Sequence, residues 1–122
     1  MQLFSPHITS PIEGDMFNNG EVTIQWIKHD PPSADMSIET DTVTYELEYT
    51  ENYVGRDTDW ITAKRRIPWD TISFIWKVGK MLKSDKVRIR IRAKTSFNEK
   101  QSDWSMSNTF SVNVFNLIAP AI

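Results

Sequence analysis

Hydrophobic and polar positions alternate most regularly over residues 86–94. Val87, Ile89, Ile91 and Ala93 fall on one side, Arg88, Arg90, Arg92 and Lys94 on the other, which is the period of a β-strand with one solvated face. A strand of this kind requires a second sheet to cover its apolar side. The same period returns over 21–28, where Val22, Ile24 and Trp26 share a face and Trp26 makes a large central piece of core. It returns again over 43–50, with Val43, Tyr45, Leu47 and Tyr49 inward and Thr44, Glu46, Glu48 and Thr50 outward, and over 73–79, with Phe74, Trp76 and Val78 together. Residues 104–114 read as a last strand with Trp104, Met106, Asn108, Phe110, Val112 and Val114 on one parity.

Weaker signals complete the outline. Residues 8–12 read as a first edge strand, since Pro11 is tolerated only where a ladder hydrogen bond is not needed. Asn18-Asn19-Gly20 is the strongest turn signal and is expected to join that strand to the next. Residues 60–63 give a short strand, Lys64-Arg65-Arg66 a basic turn, Pro68 an interruption, and Met81-Leu82 a corner plug; 29–42, 51–59 and 95–102 are loops. Six or seven short strands with turns between them predict an all-β fold, a two-sheet antiparallel sandwich, with a small barrel as the alternative architecture.

The chain has 122 residues, no cysteine and a formal net charge of -2. That length suffices for one core without staples, and the missing cysteines exclude a disulfide framework and a thiolate metal site. The charge argues against a general nucleic-acid binder. No basic stretch followed by a long apolar run stands at the N-terminus and no run approaches the ~20 apolar residues of a membrane span, so neither a signal peptide nor a membrane segment is expected.

The order and spacing of several motifs resemble a fibronectin type III domain: Ser10-Pro11-Ile12-Glu13-Gly14-Asp15 before the first turn, Val22-Thr23-Ile24-Gln25-Trp26, Tyr45-Glu46-Leu47-Glu48-Tyr49, Trp60, residues 87–93, and Ser102-Asp103-Trp104-Ser105. The resemblance covers roughly residues 8–114. It implies a sandwich of the fibronectin type III and immunoglobulin-like type with the strand at 43–50 beside the strand at 86–94. Two departures accompany it. Val87 stands where the family usually has a corner tyrosine, which leaves that corner to packing around Leu82, and residues 101–105 resemble the WSxWS box of cytokine receptors with Gln101 in the first tryptophan's place. The closer likeness is to the fibronectin-like modules of bacterial surface and phage structural proteins. The domain boundaries expected are an arm over 1–7, the sandwich over 8–114 and an apolar tail over 115–122.

Candidate chemistry is sparse. Arg88, Arg90 and Arg92 form either a polyanion-binding stripe or a set of cross-strand partners for Glu46 and Glu48, with Trp104 stacked on an arginine; the pairing expected of the resemblance favours the second. Gly55-Arg56-Asp57 has the wrong order for an integrin tripeptide. Asp30, Asp35, Glu39 and Asp41 lack the spacing of a calcium loop. His7 and His29 have no nucleophile in a recognisable setting, and the pair Asp57 and Asp59 has nothing to hold a sugar between them. The expectation is therefore a non-catalytic protein without metal or cofactor. Leu3 and Phe4 at one end, Phe115, Leu117 and Ile118 at the other, and Phe97 in a loop are the candidate partner contacts, because exposed apolar segments mark interaction surfaces. The expected partners are protein subunits, a homo-oligomer or a capsid or tail neighbour, in a phage virion (capsid decoration, collar or tail accessory) with no nucleic acid or membrane involved. A binding module of an extracellular or cell-surface protein, recognising carbohydrate or host protein through Trp60, Trp69 or Phe97, is the alternative.

Overall fold

The most regular alternating runs, at 21–27, 43–50 and 86–94, all become strand. The computed structural model describes residues 5–28, 43–95 and 101–114. Within them the strands are β1 (His7–Ser10), β2 (Met16–Phe17), β3 (Glu21–Ile27), β4 (Val43–Thr50), β5 (Ile61–Pro68), β6 (Ser73–Lys77), β7 (Leu82–Thr95), β8 (Ser105–Met106) and β9 (Phe110–Val114), with a 3-10 turn at Gly55–Asp57. They form two sheets, β1-β3-β6 and β2-β9-β7-β4-β5, with β8 added on β7. Pairing is antiparallel apart from β2, which runs parallel to β9. The fold is an all-β two-sheet sandwich.

The core is what the alternation prescribes. Val22, Ile24 and Trp26 of β3 are buried while their neighbours are exposed, and Val43, Tyr45 and Leu47 of β4 face Val87, Ile89, Ile91 and Ala93 of β7 in the same interior. Aromatic rings bridge the sheets: Trp26 meets Tyr45 edge-on with centroids 5.7 Å apart, and Tyr49 stacks on Trp76 at 4.2 Å. Such contacts add ~0.5–1.5 kcal/mol beyond the area they bury. The Tyr45 hydroxyl donates to the Trp69 carbonyl at 3.0 Å. Burial, and then the nearby Asp70 carboxylate, push its pKa well above the ordinary tyrosine value. Trp26 Nε1 is buried and has no hydrogen-bond partner among the described residues.

Several local expectations change. Thr50, expected on the outward face of β4, is buried, and Pro68, expected to interrupt the strand, pairs with Thr44 as the last residue of β5. Lys64, Arg65 and Arg66 lie inside β5 and not in a turn; two register shifts against β4 and a left-handed Arg66 (φ 57°) break the alternation there. Asn18-Asn19-Gly20 does turn the chain, with Gly20 at φ 86°, but it follows β2, so β1 and β3 pair without being a tight hairpin. Met81 is exposed and only Leu82 packs against the core. The segment 104–114 is two strands, because at Ser107 the chain shifts parity: Ser107 is buried and Met106 exposed. Val87, in the position of the expected tyrosine, is fully buried.

β7, at 14 residues, is the longest of the described strands. Val114 pairs with Leu82 at one end of β7. At the other end the Ser5 hydroxyl donates to the Asp103 carbonyl at 2.7 Å, beside the bond from Ser102 N–H to the Ala93 carbonyl at 2.9 Å. Residues 5 and 114 therefore stand at opposite poles, separated by roughly 35 Å at the usual rise of a strand.

Candidate functional site

The outward face of the larger sheet carries the densest array of charged and aromatic side chains. Antiparallel register places Glu46 opposite Arg92, Glu48 opposite Arg90 and Thr44 opposite Lys94. The guanidinium of Arg90 donates to Glu48 Oε1 from Nε at 2.8 Å, and that of Arg92 donates to Glu46 Oε2 from Nε at 2.9 Å, with Lys94 Nζ 3.3 Å from the other Glu46 oxygen. Burial acts to raise the Glu46 pKa, but the hydrogen bonds and charges of Arg92 and Lys94 outweigh it and hold the carboxyl below its ordinary value.

Aromatic rings cover the flat faces that these pairs leave. Arg90 is held between Trp60 at 4.3 Å and Trp104 at 4.1 Å, and Arg92 covers the same Trp104 ring at 4.3 Å. Arg88 lies over Tyr53 at 4.4 Å and donates from Nε to the Ser107 carbonyl at 2.6 Å. Trp60, Arg90, Trp104 and Arg92 thus form one continuous ladder, with Tyr53 edge-on to Trp60 at 6.3 Å.

Local hydrogen bonds bring the rings into place. Ser84 donates to the Glu51 carbonyl, and Tyr53 N–H to the Lys86 carbonyl at 2.8 Å, so that the 51–60 segment folds back over the start of β7. On the other side two buried serines bracket Trp104. Ala93 N–H donates to Ser102 Oγ at 2.9 Å and Ile89 N–H to Ser107 Oγ at 3.1 Å. These hydroxyls complete the β7 ladder where β8 is too short to do so, and they fix the 102–107 segment against β7.

The ladder matches the expected pairing of Arg90 and Arg92 with Glu48 and Glu46, and the expected stacking of Trp104. The parts contributed by Trp60 and Tyr53 depend on a loop returning across the sheet, which no local pattern shows; the one available signal is an aromatic at each end of the segment 53–60 that precedes β5. As a polyanion stripe the face is poorly disposed, because the edges of Arg90 and Arg92 are given to carboxylates and their faces to rings. Trp69 is half-buried and stacked on Tyr45 at 5.6 Å.

The remaining candidates do not converge. Arg56, Asp57 and Asp59 are exposed around the 3-10 turn, and His7 is exposed on β1. Among the described residues no three of His, Asp and Glu could hold a metal ion, and no helix is long and apolar enough to cross a membrane. A shallow cleft of about 360 Å³, lined by Met16, Lys83, Asp85, Ser111 and Asn113 among others, opens at the Leu82 end of β7; it offers one cation and one carboxylate and no nucleophile with a base. Leu3, Phe4, Phe97, Phe115, Leu117, Ile118, His29 and the loop acids Asp30, Asp35, Glu39 and Asp41 lie outside the described residues. No protein-family model and no curated protein matches the chain.

Proposed function

We propose that this chain is a non-catalytic structural or accessory protein of a larger assembly, a fibronectin type III-like module of which a phage virion protein (capsid decoration, collar or tail accessory) is the sharpest version. The observation that carries the reading is the placement of residues 5 and 114 at opposite poles of β7. Segments attached there, with Leu3 and Phe4 before one pole and Phe115, Leu117 and Ile118 after the other, reach neighbours on two sides while the sandwich between them acts as a rigid spacer. The ladder supports the same reading, since it spends the exposed aromatic and cationic groups of the larger sheet on stiffening its own surface. Trp60 and Trp69, the rings a carbohydrate-binding module would present, are engaged by Arg90 and Tyr45.

The test is the solution mass, by light scattering, of the full chain and of a version ending at Val114, alone and with a co-expressed neighbour. Assembly or capture by the full chain, with a folded monomer for the shorter one, is the expected result. Identical folded monomers in every condition would overturn attachment through the C-terminal tail.

A further inference from the structure

The edges of the two sheets are not equally protected. An exposed strand edge is a template for pairing, and proteins blunt it with short strands, prolines, bulges and charges. β1 has four residues, a register shift and Pro6 and Pro11 on its flanks; β2 has two residues. β5 has two register shifts and the left-handed Arg66. β6 has no proline and no bulge, and its one charge, Lys77, stands at its end. It pairs with β3 over five consecutive residues without a shift and exposes Ile75 at its centre.

The direction of its free backbone groups follows from its ends. Trp26 N–H donates to the Ile72 carbonyl at 3.0 Å and Val78 N–H to the Gly20 carbonyl at 2.8 Å, so the even-numbered residues of this strand turn towards β3. In an antiparallel ladder the alternate residues then turn the other way. Ser73, Ile75 and Lys77 direct N–H and C=O to an edge that pairs with no other strand among the described residues.

A second feature stands on the same flank. β6 packs over β4 through the Tyr49–Trp76 stack, β5 lies outboard of β4, and residues 69–72 join β5 to β6. Lys64, Arg65 and Arg66 on β5 are exposed and form no ion pair among the described residues. We propose that β6 receives an extended acidic segment of a partner protein as an added strand, with its carboxylates directed to Lys64, Arg65 and Arg66. Main-chain pairing supplies the attachment and the basic triplet selects the sequence. A second copy suits the site less well, because pairing β6 with β6 brings two such triplets to one flank. Nucleic acid also suits it less well, because carbonyls alternate with N–H groups along the edge and would face phosphate oxygens. The proposal does not depend on the tails.

The test uses the full chain, labelled with nitrogen-15, and an acetylated decapeptide alternating Glu with Val, compared with its Lys-for-Glu counterpart at low salt. The acidic peptide is expected to shift the amides of Ser73, Ile75 and Lys77 and slow their exchange. The Lys64→Glu, Arg65→Glu, Arg66→Glu triple variant should weaken binding roughly tenfold. Ile75→Pro removes an outward N–H and should abolish binding; Ile75→Glu, which leaves the backbone intact and sets a like charge on the edge, should weaken it if the proline variant does not fold. No binding at millimolar peptide, equal binding of the Lys peptide, or shifts confined to other strands would overturn the proposal. So would concentration-dependent shifts at β6 without peptide, which assign the edge to a second copy, or stronger perturbation of these amides by a short DNA duplex.

Discussion

Removing Trp104 tests whether the ladder holds the outer sheet together or merely decorates it. Its ring lies 4.1 Å from the Arg90 guanidinium and 4.3 Å from that of Arg92. Two cation–π contacts at ~0.5–1 kcal/mol each give ~1–2 kcal/mol. The ring is half-buried, and about 100 Å² of covered apolar surface at ~25 cal/mol/Å² adds ~2.5 kcal/mol as an upper figure. Trp104→Ala should therefore destabilise the protein by about 3 kcal/mol, seen as a lower urea midpoint at constant m-value and a melting temperature down by roughly 10 °C. Trp104→Leu keeps much of the apolar cover and loses the π face, so it isolates the electrostatic part at ~1–2 kcal/mol. The decisive measurement is a double-mutant cycle of Trp104→Leu with Arg92→Gln. The Arg92–Glu46 pair is lost in both legs and cancels, leaving a coupling of about 0.5–1 kcal/mol. A coupling below about 0.3 kcal/mol would refute the reasoning and make the stack a consequence of strand geometry alone.

Glu46→Gln should flatten the acid side of the stability profile: the native carboxyl is held below its unfolded value of about 4.3, so its contribution is complete above that value and lost as pH falls through the lower native one, and urea midpoints measured across this range should decline less in the variant. Ser102→Ala and Ser107→Ala each leave a buried β7 N–H without its acceptor and should cost ~1–3 kcal/mol, with faster amide exchange at Ala93 in the first and Ile89 in the second. Arg66→Gly relieves a left-handed residue and should be neutral or stabilising by up to ~1 kcal/mol, whereas Arg66→Val should destabilise by ~1–2 kcal/mol; equal effects in thermal melts would contradict the φ of 57° as the reason for the bulge.

The fold was legible where one residue in two faces the core, as in Val22-Ile24-Trp26 and Val87-Ile89-Ile91-Ala93. The carboxylate, arginine and Trp104 part of the ladder was legible as well, once the strand at 43–50 was set beside β7. What could not be read depends on departures from period two. The bulges of β5 put three basic residues in succession, which looks like a turn. Ser107 replaces a backbone partner with a hydroxyl and reverses the parity that Met106 and Asn108 had suggested. Trp60 and Tyr53 join the ladder through a loop whose return is fixed by hydrogen bonds to Lys86 and Ser84, contacts distant in sequence and without a local pattern. The open edge at β6 is equally silent, because five residues with a buried tryptophan look the same whether one neighbour flanks them or two.

The opposite poles of β7 have a mechanical consequence. A pull applied between residues 5 and 114 runs along β1 and β9, each of which leads out of the sandwich towards its own pole. The β9 ladder with β7 is then loaded in shear, so its hydrogen bonds resist together and cannot be peeled open one at a time. Tension applied at those two points is carried along the length of the sandwich, and the pairing should give way first at the register shift between Ser84 and Val87.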